Sequence, residues 1–131
     1  MEKSFFHNHA PKFYAVFRIL VGLMFLSHGI GKVQGIFAGS LPLLGLMGLA
    51  ALIETLAGLL ILIGLAVRPA ALIAALEVLV AYFMVHASKG LNPLVNGGNG
   101  GEPALLYFAA FLVLLGYGSG AFSLDKMLAR K

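Results

Sequence analysis

Four apolar runs, near residues 13–34, 43–66, 69–88 and 103–121, take up most of this sequence. Each is long enough to cross roughly 30 Å of hydrocarbon as a helix, which takes about 20 residues. Short polar or Gly/Pro breaks separate them: GIFAGSLP, VRP and SKGLNPLVNGGNGGEP. Pro69 and Pro103 suit the first turn of a helix, where a missing N–H goes unused. Glu102 suits the positive end of the fourth helix. The expected fold is all-α: an integral membrane four-helix bundle, with residues 1–131 forming a single transmembrane domain. The lipid bilayer is its first partner.

Composition agrees. The chain is 60% hydrophobic and 11% charged, with a mean hydropathy of +0.98, whereas soluble domains carry about a quarter charged residues. The net charge of +4 does not point to nucleic acid, because several of the cations flank apolar runs and no basic run carries interleaved aromatics. The absence of cysteine excludes disulfides, thiol relays, iron–sulfur ligation and c-type haem attachment by this chain. Residues 1–12 resemble the start of a signal peptide, but the apolar run that follows is too long, and a retained first span is expected.

An even number of spans places both termini on one side. Lys3, Lys12, Arg18, Arg68, Lys126, Arg130 and Lys131 then lie at or near that side, and Lys32 and Lys89 toward the other. This bias predicts an inner-membrane protein with both termini in the cytoplasm. The tail 123–131 reads as a short interfacial helix capped by Ser123, or else as a frayed basic end that merely follows the topology rule. The cluster Asn96–Gly101 lacks the Lys-Ser/Thr of a phosphate loop and reads as a flexible external loop.

Chemistry concentrates where charge enters the apolar runs. At about 100° per residue, Arg18, Gly22, Phe25, Gly29 and Lys32 form one stripe on the first helix, with His28 on its flank. A charge in hydrocarbon costs roughly 2.5–3.5 kcal/mol on insertion scales, so such residues face a partner or a wet cavity. Glu54 shares its helix face with Ala50, Ala51, Ala57 and Gly58, and Glu77 shares its own with Ala70, Ala74 and Ala81, small residues that permit close helix contact. Counted from the cytoplasmic end, Arg18 is about 8 Å deep, Glu77 about 13 Å and Glu54 about 17 Å. One reading makes an inner cluster in which Arg18 pairs with one carboxyl while the other holds a proton. The alternatives are that Arg18 extends to the headgroups, or that one glutamate is a protonated packing residue or an oligomer contact.

A second group, His28, Lys32, His86, Lys89 and Glu102, lies toward the outer side. Two histidines on two spans raise haem or metal ligation. That reading is disfavoured, since Glu77 and His86 are nine residues apart and fall on nearly opposite sides of a straight helix. Hydrogen-bonding histidines near the interface are the default. Tyr14, Tyr82, Tyr107 and Tyr117 read as mostly membrane-edge anchors.

In order, the motifs R-x3-G-x5-HG-x2-K (Arg18, Gly22, His28, Gly29, Lys32) and E-x3-G-x5-GL-x2-R (Glu54, Gly58, Gly64, Leu65, Arg68) precede His86. N-x-GE (Asn99, Gly101, Glu102) and Ser123-Leu124-Asp125 close the set. This pattern resembles the DoxX family of small four-span membrane proteins along nearly the whole chain. Glu77 is outside the pattern, and GSGAFSLD stands where a form with proline and arginine is expected. The resemblance implies a bacterial inner-membrane protein associated with oxidoreductase systems. Relatives include the membrane subunit of a thiosulfate:quinone oxidoreductase and a protein that partners oxidative-stress enzymes.

The resulting expectation is an accessory, quinone-interacting membrane subunit of an oxidoreductase or oxidative-stress assembly. Arg18, His28, Lys32, Glu54, His86 and Glu102 are the ligand-binding or proton-route candidates, with Glu77 secondary. No catalytic residue is assigned and no metal is expected. Electrons would come from a partner redox protein or the bound ligand. A non-enzymatic scaffold, in a homo-oligomer or with another protein, and a small proton-coupled transporter subunit are the alternatives.

Overall fold

The computed structural model describes residues 2–130; Met1 and Lys131, the latter among the cations counted above, lie outside them. The described residues form helices and connecting turns only. Helix α1 runs Glu2–Phe37, α2 Leu46–Ile63, α3 Val67–Ala81, α4 Glu102–Tyr117 and α5 Leu124–Leu128. A π turn, Tyr82–His86, and a 3-10 turn, Ala87–Lys89, extend α3. Ser4–Phe37, Leu46–Ile63 and Val67–Lys89 are long and apolar enough to cross a membrane, and α4 is a shorter apolar helix.

The first helix begins well before residue 13. Its 36 residues reach about 54 Å, longer than the hydrocarbon is thick. Pro11 lies inside it without ending it.

Helices α1 and α2 pack antiparallel, and glycine sets their distance. A Cβ on Gly22 would strike the Leu62 backbone, one on Gly58 the Leu26 backbone, and one on Gly29 the Thr55 and Glu54 backbones. Three glycines thus bring two main chains close enough for dense packing, the usual device of membrane helices. This register fixes which polar residues meet.

Helix α2 ends at Gly64, whose φ of 74° is left-handed. The amides of Gly64 and Leu65 bond back to the carbonyls of Ile61 and Leu60, closing the helix in a glycine C-cap. The chain then reverses at once into α3, whose small face, Ala70, Ala71, Ala74 and Ala75, is buried. Phe25, Ile61, Phe111 and Leu114 complete the core from the other helices. Phe25 meets Phe111 edge-on with ring centroids 4.8 Å apart, a favoured aromatic geometry. Outside this core, Leu20, Leu23, Leu52, Leu56, Leu72 and Leu76 are exposed, a surface suited to acyl chains.

Helix α4 stops at Tyr117 rather than near 121. Gly118 and Gly120 take positive φ of 74° and 67°, and the carbonyls beyond are claimed by side chains from elsewhere in the bundle. Ser123 caps α5 as expected, its Oγ accepting from the Lys126 amide at 3.3 Å. The loop expected to be flexible is instead wound around Asn99, which is 2% exposed.

Candidate functional site

Arg18 does not join the acids. Its guanidinium donates to the carbonyls of Ser119, Ala121 and Phe122, the last two at 3.0 and 2.9 Å. The expected cluster of Arg18 with Glu54 and Glu77 is therefore not formed. The physical reason is that the carbonyls past the end of α4 have no helical partner and need a donor, which the guanidinium supplies. Nor does Arg18 extend to solvent, being 1% exposed. Arg68 repeats the device, with Nε and Nη2 donating to Leu115 and Gly116 carbonyls at 3.1 Å each. Tyr14 donates to the Gly118 carbonyl at 2.5 Å. Asp125 Oδ2 accepts from the Ala66 amide at 2.9 Å and from Ser119 Oγ at 2.5 Å. Together these bonds form a structural hub joining the start of the packed part of α1, the α2–α3 turn and the exit from α4 at one end of the bundle.

The partner of Glu54 is Lys32. Its Nζ lies 2.9 Å from Oε1 and 2.7 Å from Oε2, and Glu54 is 6% exposed. Nearly four turns of helix, at 3.6 residues each, separate Lys32 from Arg18, so the glycine register delivers the lysine, not the arginine, to the carboxylate.

Glu77 on α3 completes the group. It lines the same cleft as Lys32 and Glu54, and its Oε2 is buried without a partner. Glu77, outside the family pattern, thus joins Lys32 and Glu54 on one wall.

Lys32, Glu54 and Glu77 form the polar part of the wall of a cleft of about 490 Å³ between α2 and α3. The rest of the lining is apolar, including Ala50, Ile53, Leu76 and Met84. Leu49, Leu76, Val80 and Met84 line it yet are exposed, so the cleft opens sideways on the outer face of the bundle. Met84 and Val85 of the lining belong to the π turn, an irregularity frequent at functional sites.

The remaining candidates go elsewhere. The His28 ring is exposed and meets Tyr107 edge-on at 5.7 Å. His86 Nδ1 bonds the Asn99 carbonyl at 2.9 Å, and Asn99 Nδ2 donates to Tyr82 Oη at 3.2 Å and the Gly90 carbonyl at 2.9 Å. Asn99 Oδ1 accepts from the Gly101 amide at 2.8 Å, so His86 serves the outer loop. Glu102 is half-buried at the start of α4, where its amide donates to the Pro93 carbonyl at 2.8 Å. Lys89 is exposed.

Tyr107 is a correction too. It is no edge anchor but packs on Phe25 and Phe111, with a buried hydroxyl that has no partner. The signal was its four-residue spacing from Phe111, which puts both on one helix face.

Comparison with known proteins decides the family. The family model described as DoxX matches residues 13–87. This chain belongs to the DoxX family. An uncharacterized protein of Haemophilus influenzae is 35% identical over 129 residues, covering 95% of this chain and 96% of that protein. The "Inner membrane protein YqjF" of Escherichia coli is 34% identical over 125 residues, covering 88% of this chain and 92% of its own. No solved structure matches. With its apolar helices, this DoxX chain is a bacterial inner membrane protein. The matched stretch holds Arg18, Lys32, Glu54, Glu77 and the whole wall of the α2–α3 cleft.

Proposed function

We propose that this DoxX protein is a ligand-binding subunit of a membrane redox assembly, taking a quinone-type molecule from the bilayer into the cleft between α2 and α3. The observation that carries the reading is the pairing of a sideways-opening apolar cleft with one ammonium and two carboxyl groups on its wall. An isoprenoid-tailed ring is this kind of ligand: its tail matches the leucine and methionine lining, and its oxygens match the polar wall. The small residues Ala50 and Ala81 leave room for a ring beside Glu54 and Glu77.

The chain's own groups bind and orient. Lys32 keeps the Glu54 carboxylate fixed and has a third N–H beyond the two it gives to Glu54. Glu77 adds acceptor oxygens and a place for a proton, since two carboxylates beside one ammonium in low dielectric cannot both ionise cheaply. The chain has no cysteine, and the electrons come from a partner enzyme or leave to one. Both termini lie in the cytoplasm in this reading, with the arginine hub at the inner end and the Asn99 loop outside.

Gentle purification from native membranes followed by lipid extraction tests it. Stoichiometric quinone is expected in the wild-type protein, and its loss in Ala50→Phe, which puts a ring into the cleft and keeps all three charged residues. A folded protein carrying ordinary phospholipid alone would overturn the proposal.

A further inference from the structure

Helix α5 is fixed at the end of two spans, and its charges are sorted between an inner and an outer side. The Asp125 amide donates to the Gly64 carbonyl at 3.0 Å, and Asp125 Oδ2 accepts from the Ala66 amide at 2.9 Å. Both partners lie in the turn between α2 and α3, two helices long and apolar enough to cross a membrane. Ser123 is buried beside Gly64, where an added Cβ would strike the serine Cβ. The short helix is therefore held against the bundle rather than trailing into water. Its one acid, Asp125, is occupied by Ala66 and Ser119, which leaves the outer side to cations. Lys126 and Arg130, four residues apart, line a recess of about 290 Å³ with Ala121, Phe122, Ser123 and Met127. Both cations are exposed, and among the described residues neither enters an ion pair. Arg18 and Arg68 stand at the same end, bonded to carbonyls, and add two more positive charges. Of the five Asp and Glu residues, Glu54 and Glu77 line the cleft between α2 and α3, and Glu102 starts α4 at the far end. Glu2 lies about 18 Å before Tyr14 along α1, so Asp125 is alone among these cations. The rim of the recess is apolar. Phe122 has a φ of 53°, a left-handed conformation uncommon for a bulky residue, and Arg18 Nη2 holds its carbonyl at 2.9 Å. Its ring is 73% exposed and Met127 is 64% exposed.

We infer that this recess is a binding site for the head group of one anionic glycerophospholipid from the adjoining leaflet. The phosphodiester takes charge-assisted hydrogen bonds from the Lys126 ammonium and the Arg130 guanidinium, both suited to phosphate oxygens. Phe122 and Met127 offer apolar surface to the acyl chains, as interfacial helices do. Four cations against one occupied carboxylate favour a head group with net negative charge, whereas a zwitterionic one brings its own ammonium into the same field. A soluble anion would use the cations and leave the phenylalanine and methionine in water. The combination of free cations, apolar rim and attachment to the ends of two spans therefore fits the lipid. This site is separate from the cleft between α2 and α3 and does not rest on the proposed function.

The delipidated full chain in detergent is titrated with dioleoyl phosphatidylglycerol and with dioleoyl phosphatidylethanolamine, which share their acyl chains. Native mass spectrometry reads the affinity of the first bound lipid, and the thermal transition reads the stabilisation. Phosphatidylglycerol is expected to bind at least about fivefold tighter, the equivalent of one cation's attraction to an anionic head group. Lys126→Gln and Arg130→Gln should each weaken it about fivefold and leave phosphatidylethanolamine unchanged. Lys12→Gln removes an exposed cation at the same end but outside the recess, and should leave phosphatidylglycerol binding nearly unchanged. Should the variants fail to fold, the wild-type preference between the two lipids still decides the matter. Equal binding of the two lipids overturns the inference. So does an equal loss in Lys12→Gln, which would mean diffuse attraction to a basic end. Stabilisation by glycerol 3-phosphate as large as that by the lipid would assign the recess to a soluble anion. A change of oligomer mass in the variants, with the lipid count unaltered, would assign it to a second copy of the chain. Either result removes the lipid site.

Discussion

Lys32 of α1 holds both carboxylate oxygens of Glu54 of α2, at 2.9 and 2.7 Å, from a position that is itself 25% exposed. The pair is consequently open on the lysine side and closed on the glutamate side. That asymmetry decides what each half does when the other is removed.

Lys32→Met leaves a carboxylate buried without its cation. Breaking a buried pair from one side costs about 3–5 kcal/mol, so thermal stability in detergent should fall sharply. The double variant Lys32→Met/Glu54→Met removes the stranded charge and should recover most of the loss. Additive losses in this cycle would show that the two residues do not stabilise the bundle as a pair.

Glycines on α1 separate packing from propensity. Gly31 has open space around the position of a Cβ, whereas at Gly29 a Cβ would meet the Thr55 and Glu54 backbones. Gly31→Ala should be neutral or stabilising by up to about 1 kcal/mol, the gain of alanine over glycine in a helix. Gly29→Ala should destabilise by about 1–3 kcal/mol, as overpacking does, and should also loosen the Lys32–Glu54 pair set by the same crossing. Equal thermal shifts for the two variants would refute the close approach of α1 and α2.

Four apolar runs give four bundle helices because hydrocarbon enforces internal hydrogen bonding, and glycine spacing gives the contact face. Pairing was harder. Depth estimates put Arg18 within reach of the acids, but they count rise along separate helices and carry no register between them. Only the crossing of α1 and α2 reveals that Lys32, not Arg18, meets Glu54. The exit from α4 was equally hidden. Carbonyl acceptors leave no mark on side-chain identity, so the partners of Arg18 and Arg68 could not be read from residue types. Asn99 was obscured by its glycine neighbours, whose composition suggests mobility while their positive φ values build a fixed turn. Glu77 was underrated because it lies outside the family pattern, although its alanine-lined face already pointed to a helix contact.

Arg18 holds the exit through the geometry of its guanidinium. Arg18→Met strands the carbonyls of Ser119, Ala121 and Phe122, each costing about 1–3 kcal/mol when buried unpaired. Arg18→Lys keeps the charge but loses the planar fork, and should rescue only part. Hydrogen exchange over residues 118–126 should speed up strongly in Arg18→Met and by an intermediate amount in Arg18→Lys. Full protection in the lysine variant would mean that charge alone suffices.

The proposed orientation can be read directly because the chain has no cysteine. Asn96, in the α3–α4 loop, and Lys126, in the short helix α5, are both exposed and lie at opposite ends of the bundle. The Asn96 end is marked by the Asn99 loop, and the Lys126 end by the arginine hub. Single cysteines at these two positions should react differently with a membrane-impermeant maleimide applied to intact spheroplasts. Asn96→Cys should label from outside, and Lys126→Cys only after the membrane is opened. Neither substitution removes a hydrogen bond made by the original side chain, since the Lys126 contact uses its backbone amide. The reverse pattern would place the termini outside and turn the bundle over. It would leave the cleft between α2 and α3 intact, because that cleft opens sideways toward lipid in either orientation.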